Sequence, residues 1–431
     1  MEVRDPIHGA IAVSVAEEAV VAHPFFQRLR NIKQVGFTEL AFPGAVHSRF
    51  LHSVGVMHLA GRAFDNALAD VAASPGRREA WRQCLRLAGL LHDVGHAPFS
   101  HCTEFAMPAL SALGMSAYGA VEDRRATHED YTVAILTQSS LADCIDARFP
   151  FSARHVAALV SRDVEVDDDF FLDGDLDVRT ALSQIVSSEL DVDRLDYLVR
   201  DSYFSGANYG HVDTGWILNN LGTLERMGEL SLALHRRAIY AFDDFMIARY
   251  HMFSMVYFHH RSVICEEMLK RYFQDPDCTY RIPASLDDYL HVDDVQLFSH
   301  LRSVHDPWAR GIVTGAEWKR CLELHGEEVD VTWAESLLEQ EGIPSITASS
   351  VGKLSRYTVF GQKRRLAPPI YVLADPLDPT VGVADLRDAT SIFRRYQDER
   401  RIARVYVASE DRDRARKLLG ACSGGRQLPL I

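Results

Sequence analysis

A chain of 431 residues is too long for one small core and predicts two or three packed units. At 47% apolar and 25% charged residues it reads as a globular protein, and no stretch reaches the roughly 20 apolar residues that a membrane span needs, so no membrane partner is expected. A net charge of −14 disfavours a nucleic-acid-coating role but leaves room for a small anionic ligand at a local basic cluster.

The start, MEVRDPIHGA, lacks the basic residues and apolar block of a secretion signal. Seven cysteines, at 84, 102, 144, 265, 278, 321 and 422, are scattered, odd in number and never in a Cys-x-x-Cys pair. That usage suits reduced thiols in a cytoplasm and argues against a disulfide framework or a cysteine zinc site.

In chain order, the first 13 residues predict a Pro-containing turn and a short β-like run. From His23 to about Gln274 the pattern is mostly helical. FLHSVGVMHLAGRAFDNALADVA (50–72) has apolar residues at three- and four-residue spacing until SPGR breaks it. EAWRQCLRLAGLLHDVGH (79–96) predicts a second helix, ended by Gly95 and Pro98. Thr127 is the expected N-cap of THEDYTVAILTQS. The acidic run 163–177 reads as a solvated loop, because its spacing lacks the closing glutamate of a calcium loop. Residues 178–206 read as one helix stopped by Gly206, 223–241 as a hairpin, and about 242–274 as a long helix. Short helices are expected up to about Glu341. Two strands, 368–374 and 401–409, flank a helix over 388–400, and a last helix follows from Glu410.

The chemistry concentrates in LLHDVGHAPFSH, residues 90–101. A His-Asp pair alone is weak evidence, and neighbouring helical side chains diverge by about 100°, so both reach one ion only near a helix end. A buried, hydrogen-bonded histidine explains His92 equally well when it is taken alone. Two further residues shift the balance. HSRFLHS supplies His52 early in the preceding helix, and ELDVDRLDYLVRD supplies Asp193 on a helix lined with Leu190, Val192, Leu195 and Leu198. An aspartate there is costly unless a cation or donor compensates it. His52, His92, Asp93 and Asp193 form a borderline-hard donor set suited to a divalent Mn, Mg, Fe or Zn ion, or to Ni or Co.

HSRFLH, LLHDVGHAPFSH, THE and LDVDRLDYLVRD, in this order, resemble the HD-domain phosphohydrolase superfamily. The likeness is greater to the deoxynucleoside triphosphate triphosphohydrolase branch, whose DPIHG, FQRLRNIKQVG and FPGAVHSRFLHS segments are also present. It covers residues 1–275 strongly and the rest only in general layout. The implied fold is mainly α: an HD-domain helical core over 1–275 with an N-terminal β-like segment, a helical extension over 276–345, and a small C-terminal α/β appendage over 346–431.

The resemblance implies His52, His92, Asp93 and Asp193 as metal ligands, with room for a second Mg. It places His96, His101 and His128 against substrate phosphates, with Glu104 in the position of the usual aspartate beside His101. Arg49, Arg194 and Arg249 match phosphate contacts. Gln34 and Asp201 match partners of a sugar 3′-hydroxyl, Tyr197 matches a ring packed near the sugar, and Val35 and Tyr257 crowd the place of a 2′-hydroxyl. If residues 242–274 form one helix, Arg249 and Tyr257 lie about 12 Å apart. The implied reaction is attack of water on the α-phosphorus, with His101 protonating the departing 5′-oxygen. It releases a deoxynucleoside and inorganic triphosphate. A homo-oligomer, dimer or tetramer, is implied as well. Ala22 stands where animal members carry a guanine-reading aspartate, and Met1 and Glu2 lie where they carry a basic residue, so a guanine activator site of that design is not expected.

Two other readings compete. One is an HD phosphohydrolase acting on nucleoside monophosphates, cyclic nucleotides or guanosine tetraphosphate. The other is a non-catalytic nucleotide sensor or nucleic-acid module using the basic runs GQKRRLAPP and FRRYQDERRIARVY, although such runs are usually solvated faces.

Overall fold

The computed structural model describes residues 1–118, 123–315, 318–326, 329–352, 368–375, 382–390, 392 and 400–422. Its first element is an antiparallel hairpin, Glu2–Asp5 with Gly9–Ala12, pairing Glu2 with Ala12. The DPIHG turn closes on the Asp5 carboxylate, whose Oδ1 accepts from the backbone N–H groups of Ile7 and His8 at 2.8 Å each.

Two long helices carry the core. Helix α1 spans Arg49–Ala67, and α2 spans Pro75–Leu91. The SPGR stretch that ends the first pattern also starts the second. The Ser74 side chain accepts from the backbone N–H of Arg77, and Pro75 occupies the first turn, where a missing N–H costs nothing. Leu90 and Leu91 are fully buried, and His92 caps α2, so its side chain leaves the helix where the chain turns.

Helix α3, His128–Gln138, starts at Thr127 in a reciprocal capping box with Asp130. The predicted helix over 178–206 is two: Arg179–Val186, then α4, Val192–Ser205, ended by Gly206. The break is set by Asp191, which accepts from the backbone N–H groups of Arg194 at 2.8 Å and Ser188 at 2.9 Å. One carboxylate thereby caps the new helix and ties off the preceding loop. A hairpin follows, Leu221–Arg226 with Glu229–His235.

The predicted long helix is also broken. Helix α5, Ile239–Met252, passes into a π-helical turn, Phe253–Tyr257, before α6, His260–Gln274, which the His259 ring caps through the N–H of Arg261. The wider turn puts Arg249 and Tyr257 on different helical geometries, so the 12 Å spacing of a straight helix does not apply.

Towards the C-terminus the strands distribute differently from the expectation. Tyr371–Leu373 pairs in parallel with Glu229–His235 and so extends the core's own sheet. A strand, Trp318–Gly326, lies inside the segment read as helical. It pairs with Arg400–Ala408, whose other edge holds Ser345–Gly352. Leu322, Leu338, Val405 and Leu419 form a separate apolar cluster beneath this sheet with helices Thr332–Gln340 and Arg412–Cys422. The small α/β unit therefore begins at the strand near Trp318 rather than at 346. Most of the helix expected over 388–400 lies outside the described residues, as do residues 361–367 of the basic run 361–369 and residues 393–399 of the run 393–406, whose remainder lies in the strand Arg400–Ala408. Among the described residues no helix is long and apolar enough to cross a membrane.

Candidate active site

His52 extends from the first turn of α1, His92 and Asp93 from the end of α2, and Asp193 from the first turn of α4. Ligand atoms of His52, His92 and Asp193 lie within 4.8 Å of one another. Asp193 Oδ1 is 3.1 Å from His52 Nε2 and 3.6 Å from His92 Nε2. Asp93 stands beside this trio: its Oδ1 is 3.4 Å from His92 Nε2 and its Oδ2 is 3.7 Å from His52 Nε2, while Arg49 also binds Oδ2.

The two imidazoles are oriented from behind. His52 Nδ1–H donates to Asp196 Oδ2 at 2.8 Å, and His92 Nδ1–H donates to the carbonyl of Gly89 at 2.8 Å. Each Nε2, once deprotonated, offers a lone pair, and both are buried without a hydrogen-bond partner. Two such lone pairs converging between carboxylates fit a divalent cation. The electrostatics agree. Burial opposes charge on His52, but Asp193 and Asp196 outweigh it and push the ring up to about 10. Burial likewise opposes the charge of Asp93, yet Arg49, His92 and His96 hold its carboxyl well below the usual range.

The turn between His92 and His101 is held by its carbonyls. Arg28 Nη2 donates to the carbonyls of Val94 at 2.9 Å and His96 at 2.8 Å, Tyr289 donates to that of Gly95 at 2.8 Å, and Thr132 to that of His92 at 3.0 Å. Phe99 and Ser100 both adopt positive φ, 55° and 60°. Such backbone is uncommon for these residues. It is retained here by Asp294, which accepts from the Phe99 N–H at 2.6 Å, and by Ser100, which bonds Arg49 and the Lys33 carbonyl at 2.7 Å each.

This turn delivers a second cluster. The His96 ring stacks on His128 at 3.9 Å, and His101 meets both edge-on at 4.9 and 5.0 Å. Glu104 binds both His128 Nδ1 and, at 3.2 Å, His101 Nδ1. Its longer side chain thus serves two histidines rather than one. Burial and Arg49 keep His96 well below its ordinary value, whereas at His128 the Glu104 carboxylate outweighs burial and raises it. His101 is largely exposed. The nitrogens of this trio also lie within 4.8 Å of one another, so it forms a second group able to hold a metal ion.

The remaining predicted residues surround these two clusters. Arg194 binds Asp191 and the Ser188 carbonyl, and Arg249 binds Glu189 at 3.0 Å; all four side chains are buried. Asp201 accepts from Tyr257 at 2.6 Å and His47 at 2.7 Å. The Tyr197 ring bridges the two ends, 6.4 Å from His52 and 6.3 Å from Tyr257. The backbone carbonyl of buried Gln34 accepts from Arg49 Nη2 at 3.3 Å, and half-buried Val35 follows it.

Residues 49–201 match the HD domain family and residues 212–337 the HD associated region. The chain carries an HD domain followed by an HD associated region. An uncharacterized protein from Methanocaldococcus jannaschii is 31% identical over 304 residues, 70% of this chain and 54% of its own. A deoxynucleoside triphosphate triphosphohydrolase SAMHD1 homologue from Dictyostelium discoideum is 30% identical over 290 residues, 66% of this chain and 51% of that protein. The matched part is thus about half the length of these relatives. A solved structure, a hypothetical protein from Aquifex aeolicus, shares the fold with a TM-score of 0.72 at 24% identity, covering 97% of this chain and 99% of its own.

Several residues of this HD-domain site escaped sequence reasoning. Asp196, Arg200 and His8 stand behind His52, His47 holds Asp201, Arg28 clamps the HD turn, and Glu189 and Asp191 occupy the arginines. Asp196 carried a usable signal: it follows Asp193 by three residues on one face of an apolar helix.

The Glu104 pairing has a measurable consequence. The carboxylate raises His128 against the effect of burial. Removing its charge in Glu104→Gln takes away the main partner that offsets burial, so the His128 pKa falls relative to the wild type. Histidine ring signals followed by NMR across pH 5–9 check this. An unchanged His128 titration contradicts the assignment.

Proposed function

We propose that the protein is a metal-dependent deoxynucleoside triphosphate triphosphohydrolase, converting a dNTP and water to a deoxynucleoside and inorganic triphosphate. One observation carries the reading: the His52–His92–Asp193 set lies between a histidine–glutamate cluster and a line of rings ending at Asp201. His52, His92, Asp93 and Asp193 would hold a divalent ion, which would supply Lewis acidity and lower the pKa of water.

The chain's own residues do the rest. Exposed His101, fixed through Nδ1 by Glu104, presents its other nitrogen to protonate the leaving 5′-oxygen. Arg49, Arg194, Arg249, His96 and His128 orient the triphosphate and offset its developing charge. Asp201, tied by Tyr257 and His47, accepts the 3′-hydroxyl with Gln34, and Tyr197 packs on the sugar. Val35 and Tyr257 leave a 2′-hydroxyl desolvated and unpaired, which favours deoxyribose. The name of the Dictyostelium relative supports the same substrate class. A cytoplasmic homo-oligomer fits this reading.

The test is product analysis. Purified protein is given each dNTP and NTP with Mn, Mg or Co, beside nucleoside monophosphates, cyclic nucleotides and guanosine tetraphosphate. Chromatography is expected to show deoxynucleoside and inorganic triphosphate. Release of pyrophosphate or single phosphate, or turnover only of another nucleotide class, contradicts the proposal. Nucleic-acid binding without turnover would favour the sensor reading.

A further inference from the structure

His8 sits in the turn of the N-terminal hairpin, 188 residues from Asp196. A carboxylate oxygen only accepts, so His8 Nε2–H donates to Asp196 Oδ1, at 2.6 Å. Asp196 is fully buried, and its Oδ2 accepts from His52 Nδ1–H at 2.8 Å. Arg200 completes the carboxylate's partners, donating from Nε to Oδ2 at 2.7 Å and from Nη2 to Oδ1 at 2.9 Å. It also donates from Nη1 to Asp5 Oδ2 at 2.7 Å, and the other oxygen of Asp5 accepts from the backbone N–H of His8 at 2.8 Å. The result is a closed circuit through Asp5, His8, Asp196 and Arg200 that touches the metal centre at one point, the back of the His52 ring.

The core makes room for this circuit. A Cβ added at Gly55, one helical turn beyond His52, would lie 2.1 Å from Asp196 Oδ1 and 2.4 Å from Arg200 Nη2. The bare backbone of α1 is what lets the buried pair lie against it. Four donors on two oxygens leave Asp196 little freedom to rotate. The oxygen shared by His52 and Arg200 stays on the imidazole only while His8 and Arg200 together hold the other.

We propose that His8 is a positioning residue of the metal centre: acting through Asp196, it fixes the His52 ring so that Nε2 points at the ion. This rests on the metal-centre reading above and adds that the N-terminal hairpin is part of the site. Without the His8 donor, the carboxylate turns towards Arg200 and His52 loses its fixed orientation. Outer partners of metal-bound histidines typically contribute 10–100-fold in affinity.

The experiment is calorimetric titration of the chelator-stripped full-length protein with Mn²⁺. His8→Ala is expected to weaken Mn²⁺ binding by about 10–100-fold. His8→Gln, whose amide reaches as far as the ring Nε2, recovers most of that loss, and the shorter His8→Asn does not. The Gln and Asn variants keep the inference testable if His8→Ala fails to fold. Wild-type affinity in His8→Ala, or equal affinity in the Gln and Asn variants, overturns the role of His8 alone. A wild-type protein that takes up no Mn²⁺ overturns the metal-centre reading itself, and the inference with it.

Discussion

Asp193→Ala is expected to abolish uptake of a stoichiometric divalent ion and to lower kcat/KM by about 10³-fold, corresponding to ~4 kcal/mol of transition-state stabilisation. Asp193 is the carboxylate that both unpartnered imidazole nitrogens face, at 3.1 Å from His52 and 3.6 Å from His92. Asp93 does not replace it, because Arg49 already binds Asp93 Oδ2 and His96 Nε2 lies 3.3 Å from its Oδ1. Two neutral imidazoles with one shared carboxylate make a poor divalent site. Elemental analysis of the purified variant and steady-state rates at saturating Mn²⁺ check the two halves separately. A variant that keeps its metal but loses activity would move Asp193 from ligand to another role. One that keeps both contradicts the site.

Gly95→Ala is expected to be nearly as damaging, from a position that touches neither metal nor substrate. Its added Cβ would lie 2.2 Å from the Thr132 backbone nitrogen, 2.3 Å from the His128 carbonyl oxygen and 2.7 Å from Thr132 Oγ1. The first two are backbone atoms of α3 and cannot swing aside, so the HD turn and the first turn of α3 must separate. The Gly95 N–H also gives its hydrogen bond to Thr132 Oγ1 at 3.0 Å, and that bond is lost as the turn moves. Overpacking of this kind costs about 3 kcal/mol at the upper end of its usual range. The same displacement moves His92, Asp93 and His96 relative to His128, and a shift of about 1 Å in such a constellation lowers the rate roughly 10²-fold. Urea unfolding and kcat at saturating substrate measure the two effects. A stable, fully active Gly95→Ala protein would show that the turn is not packed as described.

Part of this architecture was legible because its signals are local. Thr127 with Asp130 announces the start of α3, Gly206 the end of α4, and the alternation of 223–235 the hairpin. The residues named for the metal also sit in short quoted runs, and the fold brings those runs together. What escaped depends on contacts distant in sequence. His8 meets Asp196 across 188 residues, Arg249 meets Glu189 across 60, and His47 meets Asp201 across 154. The break at Asp191 was misread for a different reason. An N-cap aspartate inside a continuous helical pattern looks like an ordinary polar position until its side chain is seen bonding Ser188 and Arg194. The π turn at Phe253–Tyr257 interrupts apolar residues without any glycine or proline to mark it. The strand at Trp318–Gly326 breaks its alternation at Lys319–Arg320 and Cys321–Leu322, and its place is fixed by pairing with Arg400–Ala408.

The most direct measurement is anomalous diffraction from crystals of the full-length protein grown with Mn²⁺. The account predicts a peak bonded to the Nε2 atoms of His52 and His92 and to the carboxylates of Asp93 and Asp193. A density map with no peak among these four side chains, or with the strongest peak in another part of the molecule, would contradict it.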